Sequence, residues 1–137
     1  MSGGEKKRVT IADIIAMEPD VFLFDEPLSS LDLSGREALC EVLSTLHKEG
    51  KTLITATHDM DFAFQFADRI LVLDKGEIIA DMDPVSLFHN DDILERASLR
   101  RPAVFELYEC LVKNSKLSDD LAWPKTVEEL KKIIEKD

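Results

Sequence analysis

The sequence predicts an α/β domain in which a sheet lies between layers of helices, and three observations support this prediction. An apolar run, Val21 to Phe24, is followed by a helical pattern and then by a second apolar run, Thr52 to Thr57. A short helical stretch leads to a third run, Arg69 to Asp74. This alternation of strands and helices is typical of three-layer α/β domains. Because the first run is continuously apolar, we expect its strand to be buried on both faces, and we expect the second strand to be buried as well.

Composition narrows the classes of partner. The chain has 137 residues, enough for one modest domain, and its 28 acidic and 17 basic side chains give a net charge of −11. This charge repels a phosphate backbone, so we expect no nucleic-acid partner. No apolar run approaches the roughly 18 residues of a membrane span, and no leader pattern opens the sequence, which predicts a cytosolic chain without direct membrane insertion. Cys40 and Cys110 lie in apolar helical patterns and are predicted to be buried thiols in a reducing compartment.

The first predicted helix, residues 1 to 18, has a broad apolar face and a bare first turn. Ser2 followed by Glu5 three residues later is a capping-box pattern, and Gly3 and Gly4 carry no side chains in between. Exposed amides and the helix dipole attract phosphate at such a helix start. On this stretch alone, a phosphate site and an ordinary capped helix remain open.

Two adjacent carboxylates, Asp25 and Glu26, end the first predicted strand. Parallel strands deliver their last residues to a ligand crevice at the carboxyl edge of the sheet. Because neighbouring side chains on a strand point in opposite directions, one carboxylate could hold a magnesium ion through water while the other acts as a base toward an attacking water. A simple acidic turn after a strand would show the same residues.

Turn and cap signals set the bounds of the next elements. A polar turn ending at Asp32 precedes a helix from about residue 34 to residue 49, which Gly50 ends. His58 follows the second strand. A single histidine at a strand end can simply lie on the surface or fill space in the core. A helix is predicted over residues 61 to 67, and the Lys75-Gly76 pair predicts a hairpin.

From Pro84 onward the sequence predicts short helices, near residues 85 to 89, 91 to 97 and 103 to 113. A last helix begins with a capping box at Thr126, and we expect its apolar stripe to pack on the domain. The stripe consists of Val127, Leu130, Ile133 and Ile134. We therefore divide the chain into a domain at residues 1–83 and a small helical C-terminal extension at residues 84–137.

Four motifs in this order resemble the C-terminal half of the ATP-binding subunits of ABC transporters. Ser2-Gly3-Gly4-Glu5 resembles the signature motif, and Val21 to Glu26 resembles the Walker B strand with its following base. Ser30-Leu31-Asp32 resembles the D-loop, and His58 resembles the switch histidine. Each motif is weak alone, but four in the same order are specific. Three further stretches resemble the cobalt, nickel and vitamin energy-coupling-factor branch, namely Glu5 to Ala12, Leu73 to Gly76 and Leu99 to Val104.

The resemblance implies ATP and Mg²⁺ as cofactors and a role for each motif residue. Asp25 would orient Mg²⁺ through water, Glu26 would polarise the attacking water, and His58 would contact the γ-phosphate. The signature residues would hold the γ-phosphate of a nucleotide bound to the opposite subunit, and Asp32 would carry the signal across that dimer. The implied signature residues are Ser2, Gly3, Gly4 and Glu5.

The resemblance also implies a partial P-loop NTPase fold, because the 137 residues contain no phosphate-binding loop pattern. That pattern is glycine, four residues, then Gly-Lys-Ser or Gly-Lys-Thr after a strand. Gly50-Lys51-Thr52 lacks the first glycine and precedes a strand. We therefore expect a domain without its phosphate-loop half, inactive and prone to aggregate when isolated.

The implied function is ATP hydrolysis coupled to cobalt, nickel or vitamin uptake. The implied partners are a second ATP-binding subunit and an integral membrane transport subunit, which would hold the chain at the inner face of the cell membrane. An alternative is a non-catalytic module that donates its signature face to an intact partner. A chromosome-maintenance or repair ATPase is disfavoured by the acidic charge and the lack of long heptads.

Overall fold

The structure is a computed structural model that describes residues 3–118 and 122–135. Packing divides the chain into two compact units, residues 1–58 and residues 59–137. The first unit contains α1 (Gly3–Ala16), β1 (Val21–Asp25), α2 (Leu33–Lys48) and β2 (Thr52–Ala56). The second contains α3 (Met60–Phe66), β3 (Ile70–Asp74), β4 (Glu77–Met82), α4 (Pro84–Phe88), α5 (Asp91–Ala97), α6 (Ala103–Lys113) and α7 (Val127–Ile134).

The first unit is built on a parallel pair of strands, as predicted. β1 and β2 run side by side with Val21 opposite Thr52 and Asp25 opposite Ala56. The helix α2 connects them, and it ends where Gly50 adopts a φ of +83° and donates its N–H to the carbonyl of His47 at 3.0 Å. Glycine takes this left-handed conformation without a steric penalty, so the predicted helix stop is confirmed.

The prediction that β1 is buried on both faces is wrong, and β2, which was predicted to be buried, is exposed or partly buried along its length. Phe22 is buried on one face of the strand pair, with 2% of its surface exposed. On the other face the exposed fractions are 53% for Val21, 74% for Leu23 and 55% for Ile54. The continuous apolar run predicted a strand covered on two sides, whereas the described residues cover one side.

The helix α1 is confirmed, but its predicted broad apolar face is only partly packed. Val9 and Ile14 are exposed, and Ile11 and Ile15 are partly buried. Ser2, the first residue of the predicted capping box, lies outside the described residues, as does the side chain of Glu5.

The second unit has its own apolar core. Phe64 lies 5.6 Å, between ring centroids, from both Phe88 and Phe105, and these three rings share the core with Tyr108. The predicted hairpin of β3 and β4 is confirmed as an antiparallel pair, with Lys75 and Gly76 at positive φ in its turn. The hairpin residues Val72 and Ala80 and helical residues of α4 to α7 belong to one buried cluster. The two units meet between residues 58 and 59, whereas the sequence predicted a domain boundary after residue 83. The predicted boundary stays a prediction.

The last helix begins as predicted, with Thr126 as its N-cap. The side chain of Thr126 accepts a hydrogen bond from the backbone N–H of Glu129 at 3.1 Å. The carboxylate of Glu129 accepts from the N–H of Lys125, one residue before the cap, so the box differs slightly from the predicted one. Leu130 is buried and Ile133 is partly buried. The other two stripe residues, Val127 and Ile134, are about half exposed, so only part of the stripe packs.

The prediction of two buried thiols is wrong. Cys110 is exposed and Cys40 is partly buried, and neither forms a disulfide bond. Cys110 lies on the outer side of α6, whose inner side carries the buried Phe105 and Tyr108. Apolar periodicity identified the helix but not the side on which a single cysteine falls. Within the described ranges, the structure contains no helix long and apolar enough to span a membrane.

Candidate active site

The carboxyl ends of β1 and β2 bring Glu26 and His58 together, although 32 positions separate them in the sequence. Because the strands are parallel and adjacent, the residues that follow them lie at the same edge. The backbone N–H of Glu26 donates to the carbonyl of Ala56 at 2.9 Å, which extends the strand pairing by one bond. Glu26 then adopts a φ of +45°, an uncommon conformation for a residue with a side chain.

The carboxylate of Glu26 is held by the segment that follows β2. Its Oε1 accepts a hydrogen bond from the backbone N–H of His58 at 2.9 Å and lies 2.5 Å from Nδ1 of the same residue. Its Oε2 accepts from Oγ1 of Thr57 at 3.3 Å. The backbone carbonyl of Glu26 accepts from the hydroxyl of Ser29 at 2.8 Å. Both the backbone and the side chain of Glu26 are therefore fixed.

These contacts lower the pKa of Glu26. Burial alone would raise the pKa of Glu26, but the hydrogen bonds from the ring and the backbone of His58, the charge of that ring and the hydroxyl of Thr57 together lower the pKa below its ordinary value. An ionised carboxylate only accepts hydrogen bonds, so Nδ1 of His58 must carry the proton between the two groups. The His58 side chain is 85% exposed. Its other ring nitrogen is therefore left for an external group.

Asp25 lies beside this pair in the sequence but has a different environment. It is the last residue of β1, opposite Ala56, and it is exposed on the same face of the strand as Leu23. In the described parts of the chain, no group of three or more His, Cys, Asp or Glu side chains is arranged to hold a metal. A magnesium ion bound here would need water and phosphate oxygens besides Asp25, which is the donor set that Mg²⁺ usually takes.

Asp32 has a structural contact that the motif alone did not indicate. Its side chain caps α2 by accepting a hydrogen bond from the N–H of Gly35 at 2.9 Å. An aspartate immediately before a helical pattern is a known start signal and could have predicted this cap. Any role of Asp32 between subunits must therefore operate from a side chain already engaged at the helix start.

The remaining candidate residues belong to the start of α1. Gly3 and Gly4 lie in its first described turn. Ser2 and the side chain of Glu5 lie outside the described residues. Thr57 was not predicted as a site residue, and the available signal was a hydroxyl side chain directly before His58 at a strand end.

The chain is similar in sequence to ATP-binding proteins of transporters. The ABC transporter family model matches residues 1–29. The energy-coupling factor transporter ATP-binding protein EcfA2 of Methanospirillum hungatei is 44% identical over 135 residues, which cover 98% of this chain and 34% of that protein. The chain belongs to the family of ABC transporter ATP-binding subunits. This membership confirms the resemblance carried by the four motifs.

Two solved structures of ABC ATPases share the fold. CbiO1 of Clostridium perfringens, part of the ABC transporter complex cbiONQ, has a TM-score of 0.56 and 34% identity and covers 80% of this chain and 44% of that one. A dimeric ATP-binding cassette in a post-hydrolysis state with ADP and Pi has a TM-score of 0.56 and 33% identity, covering 61% of this chain and 36% of that one. These matches confirm an α/β, partial P-loop NTPase fold. The present 137-residue chain spans about a third to a half of the length of the relatives it matches.

Proposed function

We propose that this chain is the C-terminal portion of an ATP-hydrolysing subunit of an energy-coupling factor type ABC transporter. The observation that carries the proposal is the contact between Glu26 and His58 at the ends of two adjacent parallel strands. Similarity to EcfA2 supports the transporter class, because that relative is named for it. Cobalt, nickel or vitamin uptake is the proposed coupled process, supported by the resemblance of Glu5 to Ala12, Leu73 to Gly76 and Leu99 to Val104 to the energy-coupling-factor branch.

In the proposed reaction, Glu26 accepts a proton from the water that attacks the γ-phosphate of ATP. A carboxylate with a lowered pKa is ionised at neutral pH and is therefore available as an acceptor. His58 would contact the γ-phosphate through Nε2. Because Nδ1 already donates to Glu26, a hydrogen bond from Nε2 to a phosphate oxygen requires the ring to carry both protons. His58 would then be a cation between two anionic groups, which stabilises the charge that develops in the transition state.

Asp25 would hold Mg²⁺ through water at the exposed end of β1. When bound, this ion neutralises charge on the β- and γ-phosphates. The exposed carboxylate of Asp25 fits this use, since magnesium is commonly bound through one or two carboxylates together with waters and phosphate oxygens.

We also propose that the start of α1 is a surface that contacts a second ATP-binding subunit. Ser2, Gly3, Gly4 and Glu5 would bind the γ-phosphate of a nucleotide held by a second ATP-binding subunit, because amides at a helix start attract anions. Asp32 would signal across that dimer. The dimeric ABC structure with ADP and Pi supports a two-subunit arrangement by similarity. An integral membrane transport subunit would keep this subunit at the cytoplasmic face of the membrane.

The test is hydrolysis of Mg-ATP by a chimera in which the N-terminal part of the Methanospirillum EcfA2 protein precedes residues 1–137. Glu26→Gln should preserve ATP binding and lower the turnover rate by about 10²- to 10⁴-fold, the usual contribution of a general base. His58→Ala should also lower turnover. Glu37→Gln removes an exposed carboxylate from α2 and is the matched control, which should hydrolyse ATP at the parent rate. A Glu26→Gln chimera within about twofold of the parent rate would refute the proposed role.

A further inference from the structure

The helix α3 is short, and a later part of the chain contacts each of its ends. It has seven residues, whereas isolated helices shorter than about 12 to 15 residues are marginal in water. Near its start, the carboxylate of Asp61 accepts a hydrogen bond from the N–H of Ala103 at 2.9 Å. Near its end, the carbonyl of Phe64 accepts from Nζ of Lys125, also at 2.9 Å. Both donors lie in residues 84–137, the predicted C-terminal extension.

These two contacts supply capping groups that the helices themselves do not provide. Pro102, the N-cap of α6, makes no side-chain capping bond, and Asp61 accepts from the first N–H of that helix instead. The last turn of α3 contains no basic residue, although the final carbonyls of a helix lack intrahelical donors. Lys125 brings both a donor and a positive charge to this end, where the helix dipole favours a cation.

The ammonium group of Lys125 is partly withdrawn from water at this contact. Its Nζ lies 4.8 Å from the ring centroid of Phe64, a fully buried side chain. Burial lowers the pKa of Lys125. The opposing charges come from three carboxylates, those of Asp68, Asp83 and Glu129. The carbonyl and the ring therefore replace water as partners of the amine.

The segment that carries Lys125, residues 122–126, belongs to no helix or strand. Its anchor is Trp123, whose ring stacks on that of Phe105 with centroids 4.4 Å apart. The rings of Tyr108 and His89 contact the same indole edge to face, each at 4.8 Å between centroids. Trp123 thus fixes the segment on α4 and α6, while Lys125 extends from it to α3.

We propose that residues 122–126 form a latch, anchored by Trp123, whose Lys125 closes on the last turn of α3. Closure of the latch orders a helix that cannot hold its own end, so the C-terminal extension controls the order of α3. This helix begins two residues after His58 in the sequence. The latch is a property of the chain without nucleotide, so its test is independent of the proposed ATP hydrolysis.

The test is amide hydrogen exchange, followed by NMR at neutral pH in the full 137-residue chain. The N–H of Ala67 donates to the carbonyl of Ala63 at 3.0 Å and reports on the last turn of α3. Lys125→Met keeps the apolar stem and removes the donor, so exchange at Ala67 should accelerate about tenfold or more. Lys125→Arg keeps the charge and a donor and should exchange near the parent rate. Lys132→Met removes an exposed lysine of α7 and is the matched control.

A second variant tests whether the anchor and Lys125 act as one latch. Trp123→Leu should accelerate exchange at Ala67 although Lys125 is still present, because the segment has lost its anchor. The double variant Trp123→Leu, Lys125→Met should exchange no faster than the faster single variant. If Trp123→Leu does not fold, Trp123→Phe, with a smaller ring, supplies the comparison.

Three outcomes would overturn the proposal. The first is unchanged exchange at Ala67 in a folded Lys125→Met chain. The second is equal acceleration of the β3–β4 amides, because Lys125 would then contribute only to the global stability of the second unit. The third is independent, multiplying effects of the two single variants, because the anchor and the lysine would then not form one device. Failure of the Glu26→Gln chimera assay would leave all three measurements unaffected.

Discussion

Oδ1 of Asp32 accepts a hydrogen bond from the N–H of Gly35, and a Cβ added at Gly35 would lie only 2.8 Å from that same oxygen. The N-cap formed by Asp32 therefore depends on the absence of a Cβ atom at Gly35. A residue with a Cβ at position 35 would displace the capping carboxylate, since Asp32 has only a short side chain with which to move. This relationship links a residue of the D-loop motif to the stability of α2.

The first prediction concerns this coupling. Asp32→Ala should lower the free energy of unfolding by about 0.5 to 2 kcal/mol, the usual cost of losing an N-cap, whereas Asp32→Asn retains a capping oxygen and should cost less. Gly35→Ala should bring little gain in the parent, because it disrupts the cap. In the Asp32→Ala background it should stabilise by up to about 1 kcal/mol through helix propensity. Urea unfolding of the four chains measures the cycle, and additive effects would contradict the prediction.

The second prediction concerns acid stability of the second unit. Asp83 caps α4, and hydrogen bonds from the hydroxyl and then the N–H of Ser86 lower the pKa of Asp83, outweighing burial. Its stabilising contribution is therefore complete above the ordinary aspartate pKa and is lost as the pH falls through the lowered value. Asp83→Asn keeps an acceptor without this titration.

The difference in unfolding free energy between the parent chain and Asp83→Asn should consequently shrink on acidification from pH 5 to the lowest pH at which the second unit remains folded. Guanidinium unfolding at a series of pH values, followed by the fluorescence of Trp123, measures it. If the difference in unfolding free energy is constant over this range, the ionised state of Asp83 does not stabilise the second unit.

The third prediction concerns the exposed apolar face of β1 and β2, which carries Leu23 and Ile54. Uncovered apolar faces and unpaired strand edges promote association, so the isolated chain should self-associate at micromolar concentration. Leu23→Thr and Ile54→Thr should reduce self-association while changing the unfolding free energy by no more than about 0.5 kcal/mol. Phe22→Ala, on the buried face, is the contrasting variant and should cost about 3 to 5 kcal/mol.

Analytical ultracentrifugation of these variants across a concentration series measures the association. Equal association constants for the parent and the Leu23→Thr, Ile54→Thr double variant would exclude this face as its cause.

The fourth prediction concerns nucleotide binding by the 137 residues alone. Without the lysine and backbone amides of a phosphate-binding loop, this polypeptide should neither bind ATP tightly nor hydrolyse it, because those groups supply most of the electrostatic hold on the β- and γ-phosphates. Isothermal titration calorimetry with Mg-ATP measures the affinity. A dissociation constant in the micromolar range would contradict the prediction.

The fifth prediction concerns pairing with an intact relative. A hydrolysis-deficient, full-length energy-coupling factor ATP-binding protein that holds Mg-ATP should bind this chain through the start of α1. Charge-assisted hydrogen bonds to a γ-phosphate are worth roughly 1.5 to 3 kcal/mol each, which is sufficient for detectable association. Light scattering with and without Mg-ATP measures it, and Ser2→Arg should abolish the complex. Association that is independent of ATP would count against the signature surface.

Much of the local structure was predictable because its signals act within a few residues. Gly50 ends α2 and Lys75-Gly76 turns the hairpin through backbone preferences that any surrounding fold would respect. Glu26 was a candidate because it directly follows an apolar strand pattern, whereas the role of His58 came only from the resemblance to ABC transporter ATP-binding subunits.

The sequence by itself determined the order and type of the elements and the residues at the two strand ends. Only the tertiary structure decided that one face of β1 and β2 is covered, that Cys110 is exposed, and that Thr57 reaches the second oxygen of Glu26. Helix and strand patterns arise from neighbouring residues, whereas burial and hydrogen bonding at the site join positions about 30 residues apart. Such contacts depend on the register between the strands and on the elements that pack over each face. The sequence pattern of a single strand specifies neither the register nor the packing partner.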